Sequence, residues 1–246
     1  MTAADPVLLT VTPVASFSGP HALSKASGFF FERDGRLYLV TSRHVVADEA
    51  SGHRPDRIEI RLHTDAENLA ATIVWSMLLY RDGRAVWRQG RDAGGSVDIA
   101  VIEVDRDAMP PSAVWFAFDM AHLPTDDDEV ELGAALLVIG FPLGFEDTLH
   151  SVPIVRQAVL ASTYGLRFQG QGCFLTDART HRGSSGAPVV RRLAGDAGEA
   201  RQALPWLLLG VHSARLDMGG RDLAQDESLG LNATWYADIL DTLPTV

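Results

Sequence analysis

A serine flanked by glycines is the strongest chemical feature of the sequence. Residues 182–188 are Arg-Gly-Ser-Ser-Gly-Ala-Pro, in which Ser185 follows Gly183 and precedes Gly186. Glycine adopts backbone angles that residues with a Cβ avoid, so Gly183 can turn its N–H to the same side as the N–H of Ser185. Two convergent N–H groups stabilise the oxyanion that forms when a hydroxyl attacks a carbonyl. The segment therefore predicts Ser185 as a nucleophile and the backbone of Gly183 and Ser185 as an oxyanion hole.

A serine hydroxyl is a weak nucleophile until a base removes its proton, so a histidine and an orienting carboxylate are expected elsewhere in the chain. Residues 37–46 form an apolar run that leads into His44, and residues 97–104 form another that begins beside Asp98. These residues lie far from Ser185 in sequence, so only a rigid scaffold can bring the three together. We predict a triad of His44, Asp98 and Ser185.

The chain resembles bacterial trypsin-like serine peptidases, and in particular the protease domain of the HtrA/Deg family. Residues 176–178 (Thr-Asp-Ala), four further residues and then 183–188 have the spacing of that family's T-D-A and G-N-S-G-G-P motifs. Three further segments are similar: residues 40–46 to V-T-N-x-H-V-V, 98–101 to D-L-A-V, and 139–144 to I-G-x-P-x-G. The chain order histidine, aspartate, serine is also that of the chymotrypsin family, unlike the orders of subtilisin and of the α/β-hydrolases. The resemblance implies peptide hydrolysis without a cofactor.

The resemblance extends from about Ser27 to the C-terminus, so from this sequence we expect no PDZ domain of the kind that HtrA proteins carry. Arg182 stands where HtrA proteins have proline, Ser184 where they have Asn or Asp, and Ala187 where they have glycine. Digestive trypsin-like enzymes use an aspartate at the position of Ser184 to bind a newly cut N-terminus, so Ser184 implies an enzyme without that activation step. The sequence leaves open which way the peptide between Arg182 and Gly183 faces.

Substrate contacts are also implied by the resemblance. The expected substrate-binding residues are Arg179, Thr180, Arg182, His212, Ser213 and Ala214. In glutamyl endopeptidases, a histidine in a G-I-H-W-G segment contacts the carboxylate of the P1 residue, and Gly210-Val211-His212 together with Thr180 occupy matching places. We therefore hypothesise a preference for an acidic or polar P1 residue. The alternative is that His212 packs within its strand and that P1 is small and apolar, as in HtrA proteins.

Length and cysteine content indicate a single peptidase domain that needs no disulfide. A chain of 246 residues buries roughly 70–75% of its unfolded surface, and all-β folds of this size commonly count as one domain. Cys173 is the sole cysteine, and we expect it in the core. A single cysteine argues against the disulfide-rich secreted class. Residues 1–6 have neither the basic region nor the apolar run of a signal peptide, and no run is long enough to span a membrane. We expect a cytoplasmic protein.

Charge and ligand spacing exclude several other classes. The net charge of −11 argues against nucleic-acid binding, which needs clustered Lys and Arg. The acidic run 126–129 lacks the alternating ligands and the glycine of an EF-hand loop, and the histidines lack metal-binding spacing. We therefore expect no metal, no cofactor and no membrane or nucleic-acid partner. The expected partner is a peptide or protein substrate, and the sequence gives no prediction of oligomeric state.

The elements that position these residues are predicted to be strands. Asp34-Gly35 lies between two β-rich runs and favours a tight hairpin turn, and residues 57–62 alternate charged and apolar side chains, as a half-buried strand does. Further strands are predicted at 70–80 and 97–104 in a first barrel, and at 136–140, 155–162, 172–176, 187–191 and 206–213 in a second. A helix is predicted over 234–243, since Trp235, Ile239 and Leu243 share a face.

The predicted fold class is all-β, with two packed antiparallel six-stranded β-barrels of the chymotrypsin type and a C-terminal helix. Within one domain over 1–246, barrel 1 is expected at about 8–110, the connection at about 111–130, and barrel 2 with the helix at about 131–246.

The predicted function is that of a serine endopeptidase. The alternative is a latent or inactive peptidase fold that binds peptides or acts as a scaffold, with a flipped Arg182–Gly183 peptide or a blocked pocket. An esterase-like hydrolase is a third interpretation, which the chain order of the triad disfavours.

Overall fold

The computed structural model describes residues 4–193, 203–216 and 229–243, and strands are the main regular element of these residues. Nine strands belong to the first half of the chain: β1 (Val11–Ser18), β2 (His21–Arg33), β3 (Arg36–Thr41), β4 (Arg57–His63), β5 (Thr72–Leu78), β6 (Tyr80–Arg81), β7 (Arg84–Ala85), β8 (Trp87–Asp92) and β9 (Gly95–Val104). Six belong to the second half: β10 (Ala135–Gly140), β11 (Ile154–Leu160), β12 (Cys173–Asp177), β13 (Pro188–Arg192), β14 (Trp206–Arg215) and β15 (Leu231–Tyr236).

Helices are short in the described part of the chain. The single α-helix among the described residues, α1, spans Arg43–Val46. The 3-10 helices are Pro6–Thr10, Arg106–Ala108, Met120–His122, Pro142–Gly144 and Ala237–Asp241. No helix in the described ranges has both the length and the apolar composition needed to cross a membrane.

The first half forms a seven-stranded antiparallel sheet in the order β5-β4-β1-β2-β3-β9-β8. Its β2–β3 hairpin turns at Asp34 and Gly35, with φ values of 50° and 73°. Positive φ at both central residues is what a type I′ turn requires, and it matches the twist of the two strands. β3 also pairs with β9, so that Thr41 lies opposite Ala100. This pairing brings the segment after β3, which contains His44, next to Asp98.

The second half closes into a barrel in the order β10-β11-β12-β15-β14-β13. Closure satisfies the backbone of both edge strands, which would otherwise stay unpaired. The last pairing joins β13 to β10, where Val190 lies opposite Leu137. The loop that carries Ser185 therefore runs directly into a strand fixed on both sides.

A shared hydrophobic core joins the two halves. It combines Phe29 and Val40 of the first sheet with Ile139 and Trp206 of the second barrel. Phe118, from the connection between the halves, packs edge-on against Phe29 with ring centroids 5.8 Å apart. Each half also has its own interior cluster. Because the halves share buried side chains, groups from both can be held at a fixed distance across the cleft between them.

The predicted all-β fold is confirmed, and every strand segment predicted from the sequence overlaps an observed strand. The first unit differs in detail, because it pairs as a seven-stranded sheet rather than as a closed six-stranded barrel. The strands of this sheet that the sequence did not predict are β1, which contains Pro13, and β8, whose sequence Trp-Arg-Gln-Gly-Arg-Asp does not alternate polar and apolar residues. The division into barrels at 8–110 and 131–246 stays a prediction.

The predicted C-terminal helix is wrong over its first residues. Thr234, Trp235 and Tyr236 belong to β15, and only Ala237–Asp241 is helical, as a 3-10 helix. β15 lies between β12 and β14, so without it the barrel could not close. The backbone pairing that closes the barrel overrides the helical spacing of the apolar side chains.

Candidate active site

The loop between β12 and β13 requires glycine at both positions beside the serine pair. Gly183 has φ +93°, and a Cβ there would lie 2.5 Å from the carbonyl oxygen of Phe141. Gly186 has φ +84°, and a Cβ there would lie 2.2 Å from the carbonyl oxygen of Ser27. Both contacts are with backbone atoms, and moving these atoms costs more energy than rotating a flexible side chain. The glycines thus let the loop carrying Ser185 lie directly against the first sheet.

The peptide between Arg182 and Gly183 has a defined orientation. The carbonyl oxygen of Arg182 accepts a hydrogen bond from the N–H of Leu143 at 2.5 Å, and the carbonyl oxygen of Gly183 accepts one from the hydroxyl of Ser27 at 2.8 Å. Within the described residues, the N–H groups of Gly183 and Ser185 have no hydrogen-bond acceptor. These two N–H groups, the candidate oxyanion donors, are therefore available to a ligand.

Ser27 makes four hydrogen bonds around the nucleophile loop and is fully buried. Its N–H donates to the carbonyl of Ser185 at 2.9 Å, and its own carbonyl accepts from the Thr41 hydroxyl at 2.8 Å. Its hydroxyl donates to Gly183 and accepts from the N–H of Phe141 at 2.9 Å. Sequence reasoning missed this residue. The available cue was a serine directly before the apolar residues 28–31 of β2.

His44 and Asp98 form a tight pair. α1 begins directly after β3, which places the ring of His44 beside β9, with Nδ1 2.7 Å from Oδ2 of Asp98. The backbone N–H of His44 also donates to Oδ1 of Asp98 at 2.9 Å. Burial lowers the pKa of His44, but the hydrogen bond and the charge of Asp98 outweigh burial, and the net effect raises the pKa above its ordinary 6.5. Asp98 thus fixes the ring and favours its protonated form.

A β-bulge in β14 brings Ser213 to this pair. His212 pairs with Thr234 and Ala214 with Ala233, so Ser213 is the extra residue. Bulges re-aim side chains beside functional sites. Here the hydroxyl of Ser213 donates to Oδ2 of Asp98 at 2.5 Å. The side chain that the sequence assigned to substrate binding therefore faces the carboxylate.

The structure brings His44, Asp98 and Ser185 together at one cleft. His44 and Ser185 both line an open cleft of about 510 Å³, and Asp98 lies behind the histidine. The hydroxyl of Ser185 donates to the carbonyl of Ser213 at 3.0 Å rather than to His44. Rotation about the Cα–Cβ bond would move the hydroxyl to another staggered position. The arrangement has the parts for general-base attack by a serine.

Of the other predicted substrate-binding residues, only Arg182 lines the cleft. Arg182 and Ala214 are exposed. Arg179 is also exposed, and its carbonyl accepts two N–H groups of Arg156 at 3.0 and 2.6 Å. The hydroxyl of Thr180 is buried and donates to the side-chain oxygen of Asn232. The Thr180 hydroxyl therefore contacts β15 of the second barrel and does not lie at an open surface.

His212, in β14 of the second barrel, is almost completely buried, with 2% of its surface exposed. Burial, aided by the charges of His44 and Arg215, lowers its pKa to about 4. Its Nδ1 is buried without a hydrogen-bond partner. At neutral pH the ring is thus uncharged.

The described residues contain no group of three or more His, Cys, Asp or Glu side chains that could hold a metal ion. Cys173 is a buried free thiol in β12, and burial raises its pKa. A thiol in this environment is a poor nucleophile.

Comparison with known proteins agrees with this geometry. Residues 26–196 match the family model described as the trypsin-like peptidase domain. The structure is similar to that of an HtrA-type protease, AlgW, in a serine-to-alanine variant with a tripeptide, with a TM-score of 0.53 and 20% sequence identity. The similarity covers 98% of this chain but 61% of that chain, and at this identity it shows a shared fold. The family match covers well over half of the sequence, so the chain belongs to the trypsin-like peptidases.

Proposed function

We propose that the protein is a serine endopeptidase in which Ser185 is the nucleophile, His44 the general base and Asp98 the orienting carboxylate. The observation that carries the proposal is the placement of the hydrogen-bonded His44–Asp98 pair on the cleft that Ser185 lines. The free N–H groups of Gly183 and Ser185 support it, because a peptidase needs donors where the carbonyl oxygen becomes negative.

In the proposed mechanism, Ser185 rotates from its hydrogen bond with Ser213 and attacks the carbonyl carbon of the scissile peptide. His44 takes the hydroxyl proton on Nε2 and then gives it to the leaving amine. Asp98 holds Nδ1 and stabilises the imidazolium, while Ser213 holds Asp98. The two backbone N–H groups bind the oxyanion, and the loss of one such donor typically costs about 3 kcal/mol of transition-state stabilisation. Water then hydrolyses the acyl-enzyme with His44 as base.

One observation favours a second candidate, a resting state that binds peptides without cleaving them. The hydroxyl proton of Ser185 points to the Ser213 carbonyl, 3.0 Å away, and not to the base. The flipped Arg182–Gly183 peptide that this candidate also invoked finds no support, since the Arg182 carbonyl is bonded to Leu143.

Labelling with a fluorophosphonate probe distinguishes the two candidates, because the probe reacts with a serine only where a base and oxyanion donors assist it. The wild-type protein is expected to be labelled at Ser185, while Ser185→Ala and His44→Ala are not. A folded wild-type protein that takes no label, with Ser185 intact by mass spectrometry, would point to the binding role.

A polar or acidic P1 residue stays part of the proposal. Support comes from His212, whose buried Nδ1 lacks a partner, since a polar P1 side chain near this ring would reduce the cost of that unpaired atom. The ring is neutral when no substrate is bound, so a P1 carboxylate would have to raise its pKa, and the ratio of cleavage after Glu to cleavage after Gln should increase as pH falls toward 5. A P1-scanning peptide library checks this, and cleavage after Val, Ala or Leu alone would contradict it.

A further inference from the structure

Lys25 is the only lysine among the 21 basic residues of the chain, and it lies on the wall of the candidate cleft. Its side chain runs over Gly144, so that a Cβ added to that glycine would lie 2.8 Å from Cδ and 3.1 Å from Nζ of the lysine. Because glycine has no side chain, residue 144 leaves room for the methylene chain of Lys25. This packing keeps the ammonium near the cleft while leaving it exposed to solvent.

The cleft wall that contains Lys25 belongs to the leaving-group side of the site. The described residues that line this cleft come from β2, from the segment around α1 and from the loops at Leu143 and Arg182, and none comes from β14. The backbone of β14 is bonded to residues 186–188 as far as His212. Beyond His212, the edge next to Ser185 has no backbone partner among the described residues, so it suits the acyl part of an extended substrate. The leaving amine must then lie on the opposite side, where His44 can protonate it.

Positive charge on this wall is not neutralised by the described residues around it. Lys25 and Arg182 have no ion pair among them. The two carboxylates that share the neighbouring groove with Lys25 already have partners: Glu146 binds Arg61 at 2.8 Å, and Glu59 binds Arg57 at 3.2 Å.

Among the described residues, Asp48 is the one carboxylate that lines the cleft itself. It accepts hydrogen bonds from the hydroxyl of Ser51 and from the N–H of Ala50. Asp48 belongs to the segment after α1, whereas the side chain of Lys25 lies over Gly144, and the two do not form an ion pair. Within the part of the chain that the structure describes, Lys25 and Arg182 therefore offer an anion two charges without an ion-pair partner, in a chain whose net charge is −11.

We propose that Lys25 and Arg182 form a subsite for a carboxylate side chain, so that the enzyme prefers substrates with Asp or Glu one or two residues after the scissile bond. This inference rests on the proposed endopeptidase function and extends it to the leaving-group side. An ammonium is a compact point charge that can meet a carboxylate from several directions. The attraction is that of exposed charges, so it should be modest and sensitive to salt.

Matched peptides test the subsite. All peptides in a set have the same residues before the scissile bond and differ only at the first or the second residue after it. At that position, Asp is compared with Asn, Glu is compared with Gln, and a further peptide carries Lys. In low salt, we expect kcat/KM to be about two- to fivefold higher for the acid than for its amide at one of these positions, and the ratio should shrink in about 1 M NaCl. Lys25→Glu should remove this preference and favour the lysine peptide. Arg81→Glu is the matched control, since it changes the net charge equally at an exposed residue of β6 outside the cleft.

A second measurement keeps the subsite separate from the catalytic proposal. The same peptides, carrying a fluorophore, are titrated with Ser185→Ala and with Ser185→Ala/Lys25→Glu, and their dissociation constants are read from fluorescence anisotropy. Tighter binding of the acidic peptides that is lost in the double variant supports the subsite even where no peptide is cleaved, an outcome that would overturn only the endopeptidase. Equal constants for acid and amide, or an acid preference that survives Lys25→Glu, overturn the subsite.

Discussion

The hydroxyl of Ser27, on a strand of the first sheet, donates to the carbonyl of Gly183 in the nucleophile loop at 2.8 Å. Both groups are buried, so the bond is formed away from solvent. It fixes the peptide that follows Gly183, and the bond from Leu143 to Arg182 fixes the peptide that precedes it. The direction of the Gly183 N–H therefore depends on contacts from outside its own loop.

Replacing Ser27 by alanine should weaken the oxyanion donors more than it weakens substrate binding. The change leaves the Gly183 carbonyl and the Phe141 N–H buried without partners, at a cost of about 1–3 kcal/mol for each group. The loop can lower that cost by turning the Gly183 peptide, which misdirects its N–H. We expect kcat to fall about 10- to 100-fold with little change in KM, and the rate of fluorophosphonate labelling to fall in parallel.

Thr12→Val is the matched control for Ser27→Ala. The Thr12 hydroxyl is also buried in the first sheet, but it bonds to the backbone of Arg61 rather than to the nucleophile loop. Its loss should lower the urea midpoint of unfolding and leave the labelling rate of the folded protein unchanged. Equal losses of labelling in both variants would mean that Ser27 contributes only to stability.

The sequence predicted those parts of the molecule that depend on local patterns. Asp34-Gly35 predicted the hairpin, and the apolar runs before His44 and beside Asp98 predicted strands, because period-two alternation and turn residues act over a few positions. The candidate triad was likewise found from short motifs. The strand pairing beside it, such as Thr41 opposite Ala100, explains how the structure brings those motifs together.

Features that depend on distant contacts could not be predicted in this way. The local sequence of the last residues of β15 predicts a helix, yet pairing with β12 and β14 makes this segment a strand. The bulge at Ser213 and the Ser27 bonds exist only once the two halves pack together. The buried state of His212 is also a property of the closed barrel.

Gly186→Ala should prevent the nucleophile loop from seating on the first sheet. A Cβ at residue 186 would lie 2.2 Å from the Ser27 carbonyl oxygen and 2.4 Å from the Thr41 hydroxyl, so the loop must move away. We expect a loss of several kcal/mol in the free energy of unfolding and no labelling by the probe. Gly133→Ala is the control, since Gly133 also has a positive φ but open space around its Cα, and it should cost only about 1–2 kcal/mol. Similar stability losses in both variants would contradict the steric argument.

The pH dependence of kcat/KM should report the raised pKa of His44. Only the neutral ring can take the Ser185 proton, so activity rises with pH and its midpoint should lie above 6.5. Asp98→Asn removes the charge and the acceptor that raise the pKa, so the midpoint should move down and the rate should fall by up to about 10⁴-fold. Asp48→Asn removes a weaker, exposed charge and should move the midpoint down by less while preserving most of the rate. A wild-type midpoint below 6.5 would contradict the arrangement.

His212 should make the folded protein sensitive to mild acid. Its pKa is lowered to about 4 in the fold and is about 6.5 in the unfolded chain, so between these values the unfolded chain binds more protons. Stability is therefore lost as pH falls, by about 2 kcal/mol between pH 7.5 and 5 from this residue alone. Urea unfolding at the two pH values should show a smaller loss for His212→Gln than for wild type, while His181→Gln, at an exposed position, should behave like wild type. If His212→Gln loses as much stability as wild type, the fold does not lower the pKa of His212, and the neutral buried state assigned to this ring would be wrong.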